Sequence, residues 1–127
     1  MGLSDPKMPK EKETWPAALD ALVAASAHHT LLFENEQVRV VRTRIPAGET
    51  TAVHTHQWAG VLLVQTWSDI IRRDPDGKVT LDTRQLPLTD EPTPNIPTWQ
   101  PPLPPHAVEN VGTTEFRAIQ VEIKDAG

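Results

Sequence analysis

The sequence predicts an all-β domain, an antiparallel jelly-roll barrel preceded by one short helix, and three observations carry that prediction. From Leu31 onward, short runs rich in Val, Ile, Thr and aromatic residues alternate with turn-forming clusters. Helical spacing of apolar residues appears in one segment, 16–27. The β-like runs number about eight, which suits a double-sheet jelly roll that leaves few exposed edges.

The elements follow in chain order. Residues 1–14 are charged and Pro-containing, and read as a flexible polar tail with no apolar stretch of the kind a secretory signal needs. Residues 15–30 read as the N-terminal helix and its connector: Pro16 suits a first helical turn, the following run is Ala-rich, and Leu19, Leu22 and Val23 fall at helical spacing. That stripe packs on the barrel or on a second subunit. Residues 31–127 form the barrel, with strands expected at 38–45, 51–56, 61–67, 69–73, 78–84, 96–99, 106–111 and 116–124. Turn chemistry separates them at Pro46-Ala47-Gly48, at Asp74-Pro75-Asp76-Gly77 and at Asn110-Val111-Gly112-Thr113. Residues 86–105 are so rich in proline, which cannot donate to a ladder, that they read as a long loop holding one short strand near the barrel mouth.

At 127 residues the chain is one domain. A net charge of −5 with no basic block argues against nucleic acid and against an anionic membrane surface as partners. No cysteine occurs, which removes disulfides, thiolate ligands and cysteine nucleophiles together and fits a reducing, cytoplasmic setting. No apolar run approaches membrane-spanning length.

His54, His56 and His106 are the residues that point to chemistry. Side chains at i and i+2 of a strand share a face, so His54 and His56 project together and receive His106 from a strand paired across the sandwich. Such a triad binds a divalent transition metal (iron, nickel, zinc or manganese) or, in a metal-free barrel, hydrogen-bonds within itself. His28 and His29 follow the helix, where imidazolium suits the C-terminal dipole, and nothing else at that point suggests ligation. Trp58 and Trp99 flank the histidine strands as pocket-lining candidates, and Gln65 is a pocket candidate on the strand that follows. Arg42, Arg44 and Arg73 read as solvated edge charges, whereas Arg72, if it points inward, would hold a substrate carboxylate.

Taken together these residues resemble the small single-domain cupins of the RmlC-like superfamily. Gly48 is followed after five residues by His54-Thr55-His56, as in that family's first motif; the glutamate expected next would fall at Gly60 or Val61 and is missing, and Trp67 or Ser68 stands at the closing glycine. In the second motif Pro101, His106 and Asn110 match, Leu103 replaces the central glycine, and Asn95 replaces the first, a mild change because asparagine tolerates the left-handed conformation. The resemblance covers roughly 31–124 and implies a barrel with a site of three histidines and one carboxylate. With the glutamate gone, three neutral imidazoles leave a divalent ion its full charge and an open position for water or an anion.

Absences narrow the reaction. There is no tyrosine, so an acid–base pair of tyrosine and histidine and a cysteine–tyrosine crosslink are both excluded, and no lysine lies near the motif strands. No general base is identifiable: Glu49 and Glu109 border the motifs, but strand parity turns Glu109 away from His106. Two readings remain open. One is a metal-dependent enzyme, dioxygenase-like or isomerase- or lyase-like, acting on a small anionic organic molecule. The other is a non-catalytic cupin that binds or senses a small ligand. The apolar helix stripe and the resemblance together imply a homodimer.

Overall fold

The computed structural model describes residues 15–86 and 94–124, so the tail 1–14 and part of the Pro-rich segment lie outside the described residues. Two antiparallel sheets face each other. The first orders its strands β1 (His29–Glu34), β2 (Val38–Ile45), β9 (Phe116–Ile123), β4 (Gly60–Thr66) and β7 (Thr98–Gln100). The second orders β3 (His54–His56), β8 (Leu103–Asn110), β5 (Ile70–Arg73) and β6 (Val79–Asp82).

The most regular part of the sandwich is the part whose sequence alternates best. Along β9 burial alternates without a break, Phe116, Ala118, Gln120 and Glu122 facing inward. β2 pairs with it in continuous register from Val38 opposite Ile123 to Ile45 opposite Phe116. Ile45, Phe116 and Ala118 form the buried core, with Leu62, Val64, Trp67, Ile70 and Val108 packed on it.

Local chemistry explains where elements stop. The helix expected over 16–27 splits into a 3-10 turn, Ala17–Leu19, and α1, Ala21–Ala24, because Asp20 adopts an extended ψ of 143° and its carboxylate accepts from the Leu22 amide at 3.0 Å, restarting the helix as an N-cap. The buried face is not the expected Leu19, Leu22 and Val23 stripe. Ala21 and Ala25 are buried while Val23 is 63% exposed, and these small side chains let the turn lie close on β1 and β3. The strand expected over 78–84 ends at Asp82, whose carboxylate takes the Arg84 amide at 3.0 Å and opens a 3-10 turn at Thr83–Gln85. Asn95 does adopt a left-handed φ of 63°.

β1 was not expected as a strand, and it matters for the site. Its residues 30–34 are all exposed, so no alternation marks it, yet it pairs with β2 and sets His29 opposite Thr43. Among the described residues no helix is long and apolar enough to cross a membrane.

Candidate metal centre

β3 and β8 are neighbours in one sheet, and their register puts His54 directly opposite His106. His106 therefore arrives from beside β3 and not from across the sandwich. The histidine that does come from the other sheet is His29. All four rings are buried. One ring nitrogen from each of His29, His54 and His56 lies within 4.8 Å of the others, a group suited to a metal ion. His106 adjoins this group, its ring centroid 4.4 Å from that of His54 and 5.6 Å from that of His56.

The tautomers are set by what Nδ1 meets. In His29 it lies 3.0 Å from the Ala25 carbonyl, in His54 2.8 Å from the Ala52 carbonyl, and in His106 2.7 Å from the Pro104 carbonyl. In His56 it lies 3.3 Å from Oε2 of Glu122. Each partner oxygen is an acceptor, so each Nδ1 carries the proton and donates, leaving Nε2 with its lone pair. Burial holds the rings neutral. Desolvation, joined by the neighbouring histidines, lowers His29 and His56 to about 3 and His106 to about 2, and burial lowers His54 as well. Three of these neutral imidazoles, His29, His54 and His56, form a nitrogen donor set of the kind zinc, iron and nickel accept, with the His106 ring beside it.

Behind His56 runs a buried chain of charges. Glu122 takes the Arg39 Nε proton at 2.7 Å, and the other guanidinium nitrogens of Arg39 reach Asp20 at 2.9 and 3.1 Å. The guanidinium also lies over Trp58, 5.0 Å from the ring centroid. Burial raises the Glu122 carboxyl to about 6 against the pull of Arg39. The histidines open onto a cavity of about 240 Å³ between the sheets, lined mainly by apolar side chains such as Ile45, Leu62, Val64, Trp67 and Phe116.

This sandwich is similar to solved structures. A cupin domain from Bordetella pertussis Tohama I is 29% identical, with a TM-score of 0.59 over 76% of this chain and 91% of that one. The chain has the fold of a small cupin domain. A cupin of the RmlC-like family from Methanocaldococcus jannaschii, described as a double-stranded β-helix, is 13% identical and shares the fold with a TM-score of 0.52, over 75% of this chain and 77% of that one. No family model matches the chain, and no curated protein matches it.

In this chain the departure at the first motif has a structural reason. Gly60, one of the two positions at which the resemblance would put the carboxylate, packs so tightly on β9 that a Cβ there would meet the Val121 carbonyl at 1.8 Å. Its ladder partner across β4 and β9 is Glu122. A carboxylate thus enters the site from the neighbouring strand, and it reaches His56.

The remaining sequence-predicted residues fall on both sides of the barrel wall. Arg72 lines the cavity, in register with Val108 on one side and Leu81 on the other, both of which also line it. Gln65 does not: Leu62 and Val64 point inward from β4, so parity turns Gln65 outward, where it is exposed. Trp99 pairs with outward-facing Val61 and is 60% exposed. Trp58 stacks on Arg39 and Lys124 instead of facing the cavity. His28 Nε2 donates to the Glu49 carboxylate at 2.8 Å, and His28 does not line the cavity. His29 and Glu122 are the two residues sequence reasoning passed over. For Glu122 a signal existed, since a glutamate on the inward parity of an alternating strand is a buried charge in need of partners.

Proposed function

We propose that His29, His54, His56 and His106 surround one divalent transition metal, and that this cupin is a metal-dependent enzyme acting on a small, anionic organic molecule, by dioxygenase-like or isomerase-like chemistry. The observation that carries the reading is the shared tautomer: four buried imidazoles from two sheets, each with Nδ1 tied to a fixed acceptor and Nε2 left with its lone pair. Without a cation, these lone pairs would converge with no hydrogen-bond donor from the protein among the described residues.

A metal held there supplies Lewis acidity or redox chemistry at an open coordination position. The chain's own residues do the rest. Ala25, Ala52 and Pro104 fix three ring orientations through their carbonyls, and Glu122, itself held by Arg39, fixes the fourth. The apolar cavity wall lowers the local dielectric, and neutral ligands leave the ion its full charge, which favours an anion as incoming ligand.

Non-catalytic binding is favoured by one observation: no carboxylate lines the cavity among the described residues, so no free general base faces a ligand. Metal analysis of untagged protein offered iron, nickel, zinc and manganese in turn, with the four single His→Ala variants beside it, tests the centre. One equivalent bound by the native chain and lost from the variants while the barrel stays folded is the expected result; no uptake, or unchanged stoichiometry in all four, overturns it. Metal-dependent turnover then separates the enzyme from a sensor.

We also propose a homodimer, because β1 is a sheet edge with Leu31, Leu32 and Phe33 at 42–53% exposure, and a cytoplasmic location on the strength of the cysteine-free sequence. A dimeric mass by light scattering is expected, and a monomeric mass at micromolar concentration ends the first of these.

A further inference from the structure

Of the chain's seven arginines, five are ion-paired: Arg39 with Asp20 and Glu122, Arg44 and Arg117 with Glu115, Arg73 with Glu109, and Arg84 with Asp82. Arg72 has no carboxylate partner among the described residues, and it is the arginine that lines the histidine cavity. A half-buried guanidinium against an apolar wall is poorly solvated, and the missing counter-charge is the natural complement of a ligand anion. Across the cavity, on the other sheet, Gln120 is 4% exposed and lines the same space, and its amide Nε2 is buried with no acceptor. Native structures rarely leave such a donor unpaired. Two unmet donors, one from each sheet, therefore face one cavity that has no acidic side chain among the described residues lining it.

We propose that the cavity takes a small monocarboxylate with an apolar body, its carboxylate held by Arg72 and the Gln120 amide, and its apolar part packed on Leu62, Val64 and Phe116 within reach of the histidine centre. This deepens the reading of the cavity as a reaction chamber and rests on it for what happens to the ligand, but not for how the ligand is held. Size sets the class. A cavity of about 150 Å³ accepts a benzene ring, so one of about 240 Å³ accommodates a ring or branched chain with a carboxyl group. Charge narrows it further. A second anionic group would be buried against apolar side chains without a partner, which disfavours dicarboxylates and phosphate esters, and a cation would meet Arg72.

Calorimetry on zinc-loaded and metal-free protein tests this with benzoate and phenylacetate as probes, benzamide and benzyl alcohol as neutral isosteres, and succinate and phenyl phosphate as over-charged controls. The expected result is that an aryl carboxylate binds about ten-fold or more tightly than its neutral isostere, as a charge-assisted fork should give. Arg72→Met should erase that preference while leaving benzamide affinity and metal content unchanged; Arg72→Lys, which keeps the charge but loses the fork, should retain part of it. Gln120→Leu should weaken carboxylate binding by a smaller factor. Equal binding of acid and amide, a preference that survives in Arg72→Met, a tighter grip on succinate or phenyl phosphate, or no binding by any carboxylate each overturns the proposal. The two readings fail separately. Protein that takes up no metal but keeps an Arg72-dependent preference sinks the metal centre alone, and metal-loaded protein whose preference ignores Arg72 sinks this inference alone.

Discussion

Two clusters of buried polar side chains lie along β8, one around His106 in its middle and one around Asn110 at its end, and they are finished to different degrees. At the Asn110 end every valence is used: Oδ1 accepts from Ser68 at 2.7 Å and from the Gly112 amide at 2.9 Å, while Nδ2 donates to the carbonyls of Ile45 at 2.7 Å and Thr114 at 2.8 Å. Around His106 each ring uses one nitrogen and keeps the other bare. A satisfied buried network specifies structure, whereas a half-satisfied one is stable only with something added to it. Asn110 ties the end of β2, the β4–β5 connection and the β8–β9 turn into one corner, and so reads as scaffold; the histidines read as site.

Acid should expose that difference most. His29, His56 and His106 are lowered in the folded chain to about 3, 3 and 2 from 6.5, so the unfolded state binds more protons and stability falls as pH drops below 6.5. Glu122 works the other way. Its carboxyl, raised from 4.5 to about 6, takes up a proton in the folded state first and returns part of the loss between those values. The metal-free protein should lose about 4 kcal/mol between pH 6.5 and pH 5, at about 1.4 kcal/mol per proton per pH unit. Urea titrations at a series of pH values measure it, and a flat profile over this range would mean that the four rings are not buried together.

Next in size comes the corner. Asn110→Ala strands two carbonyls, one amide and one hydroxyl, and should cost about 3 kcal/mol in denaturant while each molecule that remains folded still binds its metal. Loss of metal at full folding would put Asn110 in the site and erase the distinction. Glu122→Gln keeps an acceptor for His56 Nδ1 but removes the charge that pairs with buried Arg39, so metal affinity should fall about 10- to 100-fold and the metal-free chain should also melt at a lower temperature. A competition titration against a chelator reads this, and unchanged affinity would reduce Glu122 to a partner of Arg39. Smallest of all, Gln65→Ala lies outside the wall and should shift stability by no more than about 0.5 kcal/mol and leave metal binding untouched. Any effect on metal would place that side chain inside after all.

How much of this was legible in the sequence follows from parity. β2 and β9 alternate cleanly and fell within a residue of their expected limits, and His54, His56 and His106 do meet, because spacing along a strand dictates a face. His29 was illegible for the converse reason. Only one residue of β1 is buried, and the chain before it is Ala-rich, so the segment reads as the end of a helix. Gln65 and Trp99 were placed by nearness in sequence to the histidines, and parity then put them on the wrong face. Arg72 was singled out in the sequence on the condition that it point inward, and what separates it from Arg42, Arg44 and Arg73 is its place on the cavity wall.

The pairing of Gly60 with Glu122 makes two positions sixty residues apart a single design choice. A side chain at 60 would push into the β9 backbone, so a carboxylate can be carried there only if β9 withdraws, and β9 now holds its own acid at the matching rung. The carboxylate of this site therefore stands on β9, where it meets the imidazole of His56 and is paired with Arg39. A pattern written along one strand cannot express such a pairing. The rule that survives is two-dimensional: where a barrel lacks an acid on one strand, the rung beside it is the place to look.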